Sequence, residues 1–420
     1  MHEWYERTAL TPMRVARSTG YIDWSMQPSL FKRYPEGLFS YGFDDHDALK
    51  IVALARRVTD EKSVGGKPYL RLNTPSAGNL HPLELYVQIR GVKGIVSGIY
   101  HVDAQREKLV LLREVESDGL EAALGMGGRF KGMLFILSRV PFRSAWKYGE
   151  RSWRYTYLDA GHQLGALQAA AAACKQEVTL LSEFDGECLD AAMGFDEQEE
   201  SVAVILAGEC GDRECAALKH PLMRVQPTDY YEAGPSRRFG RTRLHAPEFP
   251  AGAYGAIEGL EALIGARRSS RGFDGEALPN EEVERLMHFL SQPPQPLVCH
   301  TLLLRGEAPG LYDGGRLVRG GVFVDDITGL LVDQPFVSTS SLVLIVSAPA
   351  FGADTLMTAG TFAHALHLYS RARGLGFSGV GAFYDRKLQH FLKTDNYILY
   401  TLVIGNDASL NENAKGAKPL

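Results

Sequence analysis

The chain repeats itself at a fixed interval, and this limits its folds to those that can be built twice. Leu158-Asp159-Ala160-Gly161 opens a helical stretch ending near Lys175, and Met357-Thr358-Ala359-Gly360 opens another ending near Arg373, with Gly161 and Gly360 199 residues apart. Phe184 and Phe383, beyond the two helices, are again 199 apart, while Leu206-Ala207-Gly208 matches Val403-Ile404-Gly405 at 197. Upstream, Gly98-Ile99-Tyr100 resembles Gly310-Leu311-Tyr312. A spacing kept over helix, turn and strand implies two copies of one unit of roughly 200 residues. Such a duplication places a homodimer-like pair, an intramolecular pseudo-dimer, within one chain.

The boundary between the copies is expected at 210–255, where hydrophobic periodicity is lost and Pro221, Pro227, Gly234, Pro235, Pro247 and Pro250 accumulate. That makes 1–209 the first unit, 210–255 a linker and 256–420 the second unit. In the first, residues 83–90 alternate as a strand, 133–140 and 201–207 are short apolar strands, and 157–174 is an Ala-rich helix. In the second, the helix is 360–373 and the strands are 342–347 and 398–404. Without regular strand, helix, strand alternation, the expected class is α+β, a mixed β-sheet flanked by helices in each unit.

Composition narrows the partners. Lys and Arg number 45 against 50 Asp and Glu, a net charge of -5, which gives no bulk attraction for nucleic acid or an anionic membrane. No apolar run is long enough to span a bilayer, and the opening Met1-His2-Glu3-Trp4-Tyr5-Glu6 lacks the features of a signal peptide, so a cytoplasmic protein is expected. The five cysteines at 174, 188, 210, 215 and 299 form no disulfide framework in a chain of this length. A zinc site from Cys210, Cys215, His220 and His245 has the wrong spacing, and ordinary loop cysteines are expected, with no metal.

Local basicity stands out against this neutral background. Arg267-Arg268-Ser269-Ser270-Arg271-Gly272-Phe273 gathers three guanidiniums that can grip a phosphate and a polarised carbonyl, or form a solvated surface run; Leu278-Pro279-Asn280-Glu281-Glu282 after it reads as a helix start. Gly374-Leu375-Gly376-Phe377-Ser378-Gly379 has a dinucleotide-like spacing, but it follows a helix instead of a strand. Its Gly374 is read as a helix cap, and Gly379-Val380-Gly381-Ala382-Phe383 as backbone that can approach a flat ring such as flavin. Two further motifs are the small-residue loop Asn73-Thr74-Pro75-Ser76-Ala77-Gly78-Asn79-Leu80-His81-Pro82 and the aromatic, ionisable run Trp146-Lys147-Tyr148-Gly149-Glu150-Arg151.

Together with Leu83-Glu84-Leu85-Tyr86-Val87, Gly98-Ile99-Tyr100-His101 and Leu158-Asp159-Ala160-Gly161-His162, these motifs resemble the SagB-type, or thiazoline/oxazoline dehydrogenase, branch of the nitroreductase flavoproteins. The resemblance covers most of 70–208; the second half resembles a more generic nitroreductase unit through 267–273 and 379–383. Nitroreductases are domain-sharing dimers with FMN at the interface, so the resemblance implies complementary halves. The second half keeps Arg267, Arg268, Ser269, Arg271 and the turn Gly379, Val380, Gly381, Ala382; the first keeps Pro75, Ser76, Ala77 and Asn79, with Lys147 and Tyr148. At the 199 shift, Gly379–Ala382 faces Leu180-Leu181-Ser182-Glu183, with both glycines lost; Pro293-Pro294-Gln295-Pro296-Leu297 replaces the second Pro-Ser-x-x-Asn, and Glu6-Arg7-Thr8-Ala9-Leu10 is a poor copy of the arginine cluster. One FMN per chain follows.

The resemblance implies that Arg267, Arg268 and Ser269 meet phosphate and ribityl oxygens, that Arg271 sits by the pyrimidine edge, and that Lys147 and Tyr148 assist proton transfer. It also implies a small-molecule or peptide substrate, a cyclodehydratase-like partner, and a monomeric pseudo-dimer or a homodimer. Two rival activities are an NAD(P)H-dependent nitro or quinone reductase and a non-catalytic scaffold in a peptide-modifying complex. The C-terminal Gly405-Asn406-Asp407 lacks the family's further basic phosphate ligand, so affinity is lower or another basic residue substitutes. His364 and His367 read as core or interface histidines, while Asp159 and His162 are either functional or, for Asp159, a complement to the helix N-terminus.

Overall fold

The computed structural model describes residues 2–18, 22–64, 67–195, 198–222, 254–255 and 257–407. The chain divides into two compact units, one of Ile22–Pro247 and one that joins Met1–Tyr21 to Glu248–Leu420. Most of the expected linker and all of His245 lie outside the described residues. Among the described residues no helix is long and apolar enough to cross a membrane.

In the unit Ile22–Pro247 the strands are β1 (Ser40–Gly42), β2 (Val58–Val64), β3 (Lys67–Leu72), β4 (Leu83–Arg90), β5 (Gly98–Asp103), β6 (Lys108–Glu114), β7 (Asp118–Gly119), β8 (Phe130–Arg139), β9 (Thr179–Leu180), β10 (Glu200–Cys210) and β11 (Ala216–Ala217). Seven of them form a sheet in the order β1-β6-β5-β4-β8-β10-β9. All its pairings are antiparallel; among the described residues of this unit, parallel pairing is confined to β7 and β11. The helix Ser152–Ala173 is buried without a break from Ser152 to Leu167. Its Ala, Gly and Leu content leaves no polar stripe to face water, the pattern of a helix enclosed on all sides.

The other unit carries β12 (Val298–Leu303), β13 (Gly310–Asp313), β14 (Arg316–Gly320), β15 (Leu342–Ala348), β16 (Leu375–Val380) and β17 (Tyr397–Asn406) in the order β14-β13-β12-β15-β17-β16. This is the order of β6-β5-β4-β8-β10-β9, and a long buried helix, Ala353–Ala372, again stands between the fourth and fifth strands. Thr179 and Leu180 pair with Leu206 and Ile205, as Ser378 and Gly379 pair with Val403 and Leu402, which are the sequence shifts of 199 and 197. Even irregularities recur. A register break falls between Ile99 and Tyr100 and again between Leu311 and Tyr312, and each tyrosine hydroxyl donates to the carbonyl four residues back, Val96 at 2.6 Å and Ala308 at 2.7 Å. The two units therefore share one α+β topology.

The first unit does not begin at residue 1, contrary to the expected 1–209. Tyr5 is fully buried, edge-on to Phe351 at 5.0 Å and Tyr397 at 4.8 Å. The Leu10 amide donates to Asp385 at 2.8 Å and Leu10 forms a parallel bridge with Tyr384. The short helix His2–Thr8 has too few apolar residues for a core of its own, so it takes one from the unit of residues 248–420. The segment 6–10 is thus part of that unit.

Candidate functional site

The loop before β4 and the end of the helix Phe142–Tyr148 meet in the unit Ile22–Pro247. Gly78, Asn79 and His81 all have positive φ (64°, 59° and 47°), which folds the loop tightly. The bend is held from both sides: the Asn79 side-chain amide donates to the Leu70 carbonyl at 2.8 Å, and the His81 amide to Ser76 Oγ at 3.0 Å. Arg143 anchors the helix, donating to the His81 carbonyl at 3.1 Å and pairing with Glu84 Oε1 at 2.6 Å. Burial alone would raise the Glu84 carboxyl, but Arg143 and His101 hold it well below the ordinary carboxylate range.

That anchoring puts Lys147 and Tyr148 directly against Gly78. A Cβ at Gly78 would lie 2.3 Å from Tyr148 Oη and 3.3 Å from Lys147 Nζ, so only glycine leaves room for both. The Tyr148 ring is edge-on to Tyr155 at 5.0 Å, and Lys147 Nζ lies 5.3 Å from the ring centres of both Trp24 and Tyr148. Burial holds the Lys147 ammonium below its ordinary value. Beneath the loop, buried Asp159 accepts from Ser76 Oγ at 2.7 Å and from the Ala77 amide at 3.2 Å. Burial pushes its carboxyl up to about 7, against the pull of these two donors. The sequence had left Asp159 between function and a helix-terminus role; its partners are in the loop.

In the other unit the arginine cluster runs beside β16. The Ser270 amide donates to the Phe377 carbonyl at 2.8 Å, and its hydroxyl accepts from the Phe377 amide at 3.2 Å and donates to Asp407 at 2.6 Å. Arg271 donates to Ser378 and lies 4.6 Å over the Phe336 ring. The cluster and the strand leading to Gly379, Val380, Gly381 and Ala382 are thus brought together. Arg267 is buried, Arg268 half-buried and Ser269 exposed. Gly379, expected to open toward a flat ring, instead makes room for a neighbour: a Cβ there would lie 1.9 Å from Tyr400 Oη.

A basic residue that the sequence did not single out joins this cluster. Arg371, in the last turn of Ala353–Ala372, lies 3.9 Å from Asp407 and is one turn beyond His367, which bonds the Arg268 carbonyl at 2.9 Å. Its Nε is buried and makes no hydrogen bond among the described residues. Burial holds its guanidinium below the ordinary value, opposed by Asp407 and reinforced by Arg268. His364 and His367 are fully buried, the latter stacked on Phe377 at 4.4 Å.

Cys215 donates to Glu121 at 3.2 Å and Cys210 to the Gly128 carbonyl at 3.5 Å; among the described residues no group of three His, Cys, Asp or Glu is placed to hold a metal. An open cleft of about 810 Å³, whose lining includes Asp325, Asp326, Asp333, Arg386, Lys387 and His390, contains none of the residues expected from the sequence.

Residues 45–209 match the model of the Nitroreductase family. A protein of Methanocaldococcus jannaschii named as a candidate nitroreductase is 34% identical over 116 residues, 27% of this chain and 54% of that protein, so the match spans about half of its length. The crystal structure of a candidate nitroreductase from Anabaena variabilis superposes with a TM-score of 0.77 at 21% identity, covering 96% of this chain and 99% of that one, a likeness of fold. A candidate nitroreductase from Desulfovibrio desulfuricans, crystallised with FMN, covers 38% of this chain and 96% of its own at 16% identity and a TM-score of 0.29. Over residues 45–209 the chain is thus similar to the Nitroreductase family.

Proposed function

We propose that this chain is an FMN-dependent oxidoreductase that dehydrogenates a thiazoline or oxazoline ring in a peptide, with one FMN per chain. The observation that carries the reading is the packing of Lys147 and Tyr148 on Gly78, within the loop that also holds Pro75, Ser76, Ala77 and Asn79. The residues fit an anionic cofactor. Arg267, Arg268 and Ser269 would hold its phosphate and ribityl oxygens, Arg371 with its unused buried donor would take the place of the missing C-terminal basic ligand, and Arg271 would lie toward the pyrimidine edge. With Gly379 turned to Tyr400, the half-buried backbone of Gly381 and Ala382 would serve the ring, beside Val380.

When bound, FMN supplies a two-electron acceptor. The substrate ring loses a hydride and a proton and gains a double bond, and dioxygen or another acceptor later removes the electrons. Lys147, its ammonium held below the ordinary value by burial, would accept the proton, and Tyr148 would orient the ring nitrogen or relay the proton. A cyclodehydratase-like partner would make the azoline.

The test is reconstitution with FMN followed by incubation with azoline-containing peptides under air. The expected result is one FMN per chain, loss of two mass units per ring, and a Lys147→Ala variant that keeps FMN but loses most turnover. Failure to bind FMN would favour a scaffold, and rapid bleaching by NADH or NADPH with no azoline oxidation would favour a nitro or quinone reductase.

A further inference from the structure

Asp159 lies one layer behind the pair that touches substrate in the reading above, on which this inference rests. It holds the loop at two points, the Ser76 hydroxyl at 2.7 Å and the Ala77 amide at 3.2 Å, and the next residue along is Gly78, against which Tyr148 Oη and Lys147 Nζ are packed. The Ser76 oxygen is committed in turn, accepting the His81 amide at 3.0 Å, so its single proton is free to go to Asp159. The chain of contacts therefore runs Asp159, Ser76 and Ala77, Gly78, then Lys147 and Tyr148. We infer that Asp159 is a positioning residue: its carboxylate fixes the backbone of residues 76–79 and so sets where Lys147 and Tyr148 stand.

The chemistry of the two bonds makes this dependence sharp. Both Ser76 and Ala77 donate, and a carboxylate accepts from both; a protonated carboxyl carries a donor of its own and has to give up or reverse one bond. Titratable groups on the elements packed about this helix are Arg143, Lys147, Tyr148, Glu150 and Arg151 before it, Lys50 and Arg56 at the ends of the helix Lys50–Ala55, Glu84, Tyr86 and Arg90 on β4, Lys131 and Arg139 on β8, and Arg154, Tyr155, Tyr157 and His162 within the helix itself. The influences on the Asp159 carboxyl are burial, Ser76 and Ala77, with no charged group among them. The loop is thus pinned on the alkaline side of the Asp159 titration and loosened on the acid side. Trp24, 5.3 Å from Lys147 Nζ and packed edge-on to Trp146 at 5.7 Å, lies where it reports this change.

The experiment follows tryptophan emission of the FMN-loaded full chain from pH 5 to 9 alongside the pH profiles of kcat and KM for azoline oxidation. The wild type is expected to show a sigmoidal emission change with a midpoint near 7 and kcat rising through the same range. Asp159→Asn should abolish the emission step and lower kcat on the order of 10- to 100-fold with KM and FMN affinity changed less than about twofold, the size expected for a misplaced catalytic pair. Asp159→Glu should restore a step with a displaced midpoint. An Asp159→Asn protein that keeps the wild-type emission step overturns the inference, as does one whose kcat is unchanged. If Asp159→Asn does not fold, the Asp159→Glu titration decides: an undisplaced midpoint overturns it. A wild type that oxidises no azoline yet shows the step, lost in Asp159→Asn, would refute the proposed substrate and leave the positioning role supported.

Discussion

Gly78 allows the geometry of the site to be weighed against a control in the same unit. Gly78 and Gly125 have nearly the same φ, 64° and 68°, but a Cβ at Gly125 would meet nothing within 4 Å, whereas one at Gly78 would lie 2.3 Å from Tyr148 Oη. Placing an L-residue in the left-handed region costs about 1–2 kcal/mol, and both Ala variants bear that equally. Only Gly78→Ala adds overpacking, about 1–3 kcal/mol more. Urea unfolding with a slope of about 2 kcal/mol/M would then place its midpoint roughly 0.5–1.5 M below that of Gly125→Ala. In a Tyr148→Phe background the 2.3 Å contact is gone and the nearest remaining ring carbon is at 3.1 Å, so the excess should shrink. Equal costs for the two glycines, or an excess untouched by Tyr148→Phe, would refute the packing of Tyr148 on the loop.

The remaining outcomes are more direct. Tyr5→Ala should cost about 3–5 kcal/mol, the usual loss for a fully buried aromatic, read as the unfolding of the unit that contains residues 248–420. Glu84→Gln leaves Arg143 buried without its counter-charge and should cost about 3–5 kcal/mol in the same assay. Because the folded Glu84 carboxyl lies below its unfolded value of about 4.3, its stabilisation is complete above that pH and is lost as pH falls further. Wild-type stability should therefore drop below pH 4 more steeply than that of Glu84→Gln. Arg371→Met should weaken FMN binding by roughly 10- to 100-fold in a fluorescence titration, the value of one charge-assisted bond of about 1.5–3 kcal/mol; unchanged affinity would remove Arg371 from the phosphate site.

Long-period signals made the fold legible. The helices around Gly161 and Gly360 and the strands at 83–90, 342–347 and 398–404 were readable because a buried helix or strand needs a run of apolar residues, and the 199 and 197 shifts proved to be the pairing register itself. The loop at 75–79 and the pair at 147–148 were each readable as motifs, yet their meeting at Gly78 depends on Arg143 reaching both His81 and Glu84, which no local pattern announces. Asp159 carried too many readings as a lone acid near a helix start. Gly379 looked like an opening because the sequence does not say that Tyr400, on the neighbouring strand, points its hydroxyl into the gap. Residues 2–18 were assigned by proximity along the chain, and two short helices with one buried tyrosine contain nothing that names their host.

The docking of those first residues bears on how the protein is made. Leu10 and Asp385, joined by a hydrogen bond, are 375 residues apart, so one compact unit is closed by the two ends of the chain and the other is inserted between them. At roughly 5–20 residues per second of synthesis, the opening helices wait about 20–75 s for the surface that receives them. Until Phe351 and Tyr397 are made Tyr5 lacks the aromatic neighbours that bury it, and for the last part of that interval residues 22–247 are already complete. Ribosome-bound chains stopped before residue 384 should therefore expose the first turn to protease, and release of the full chain should be the moment that protects it.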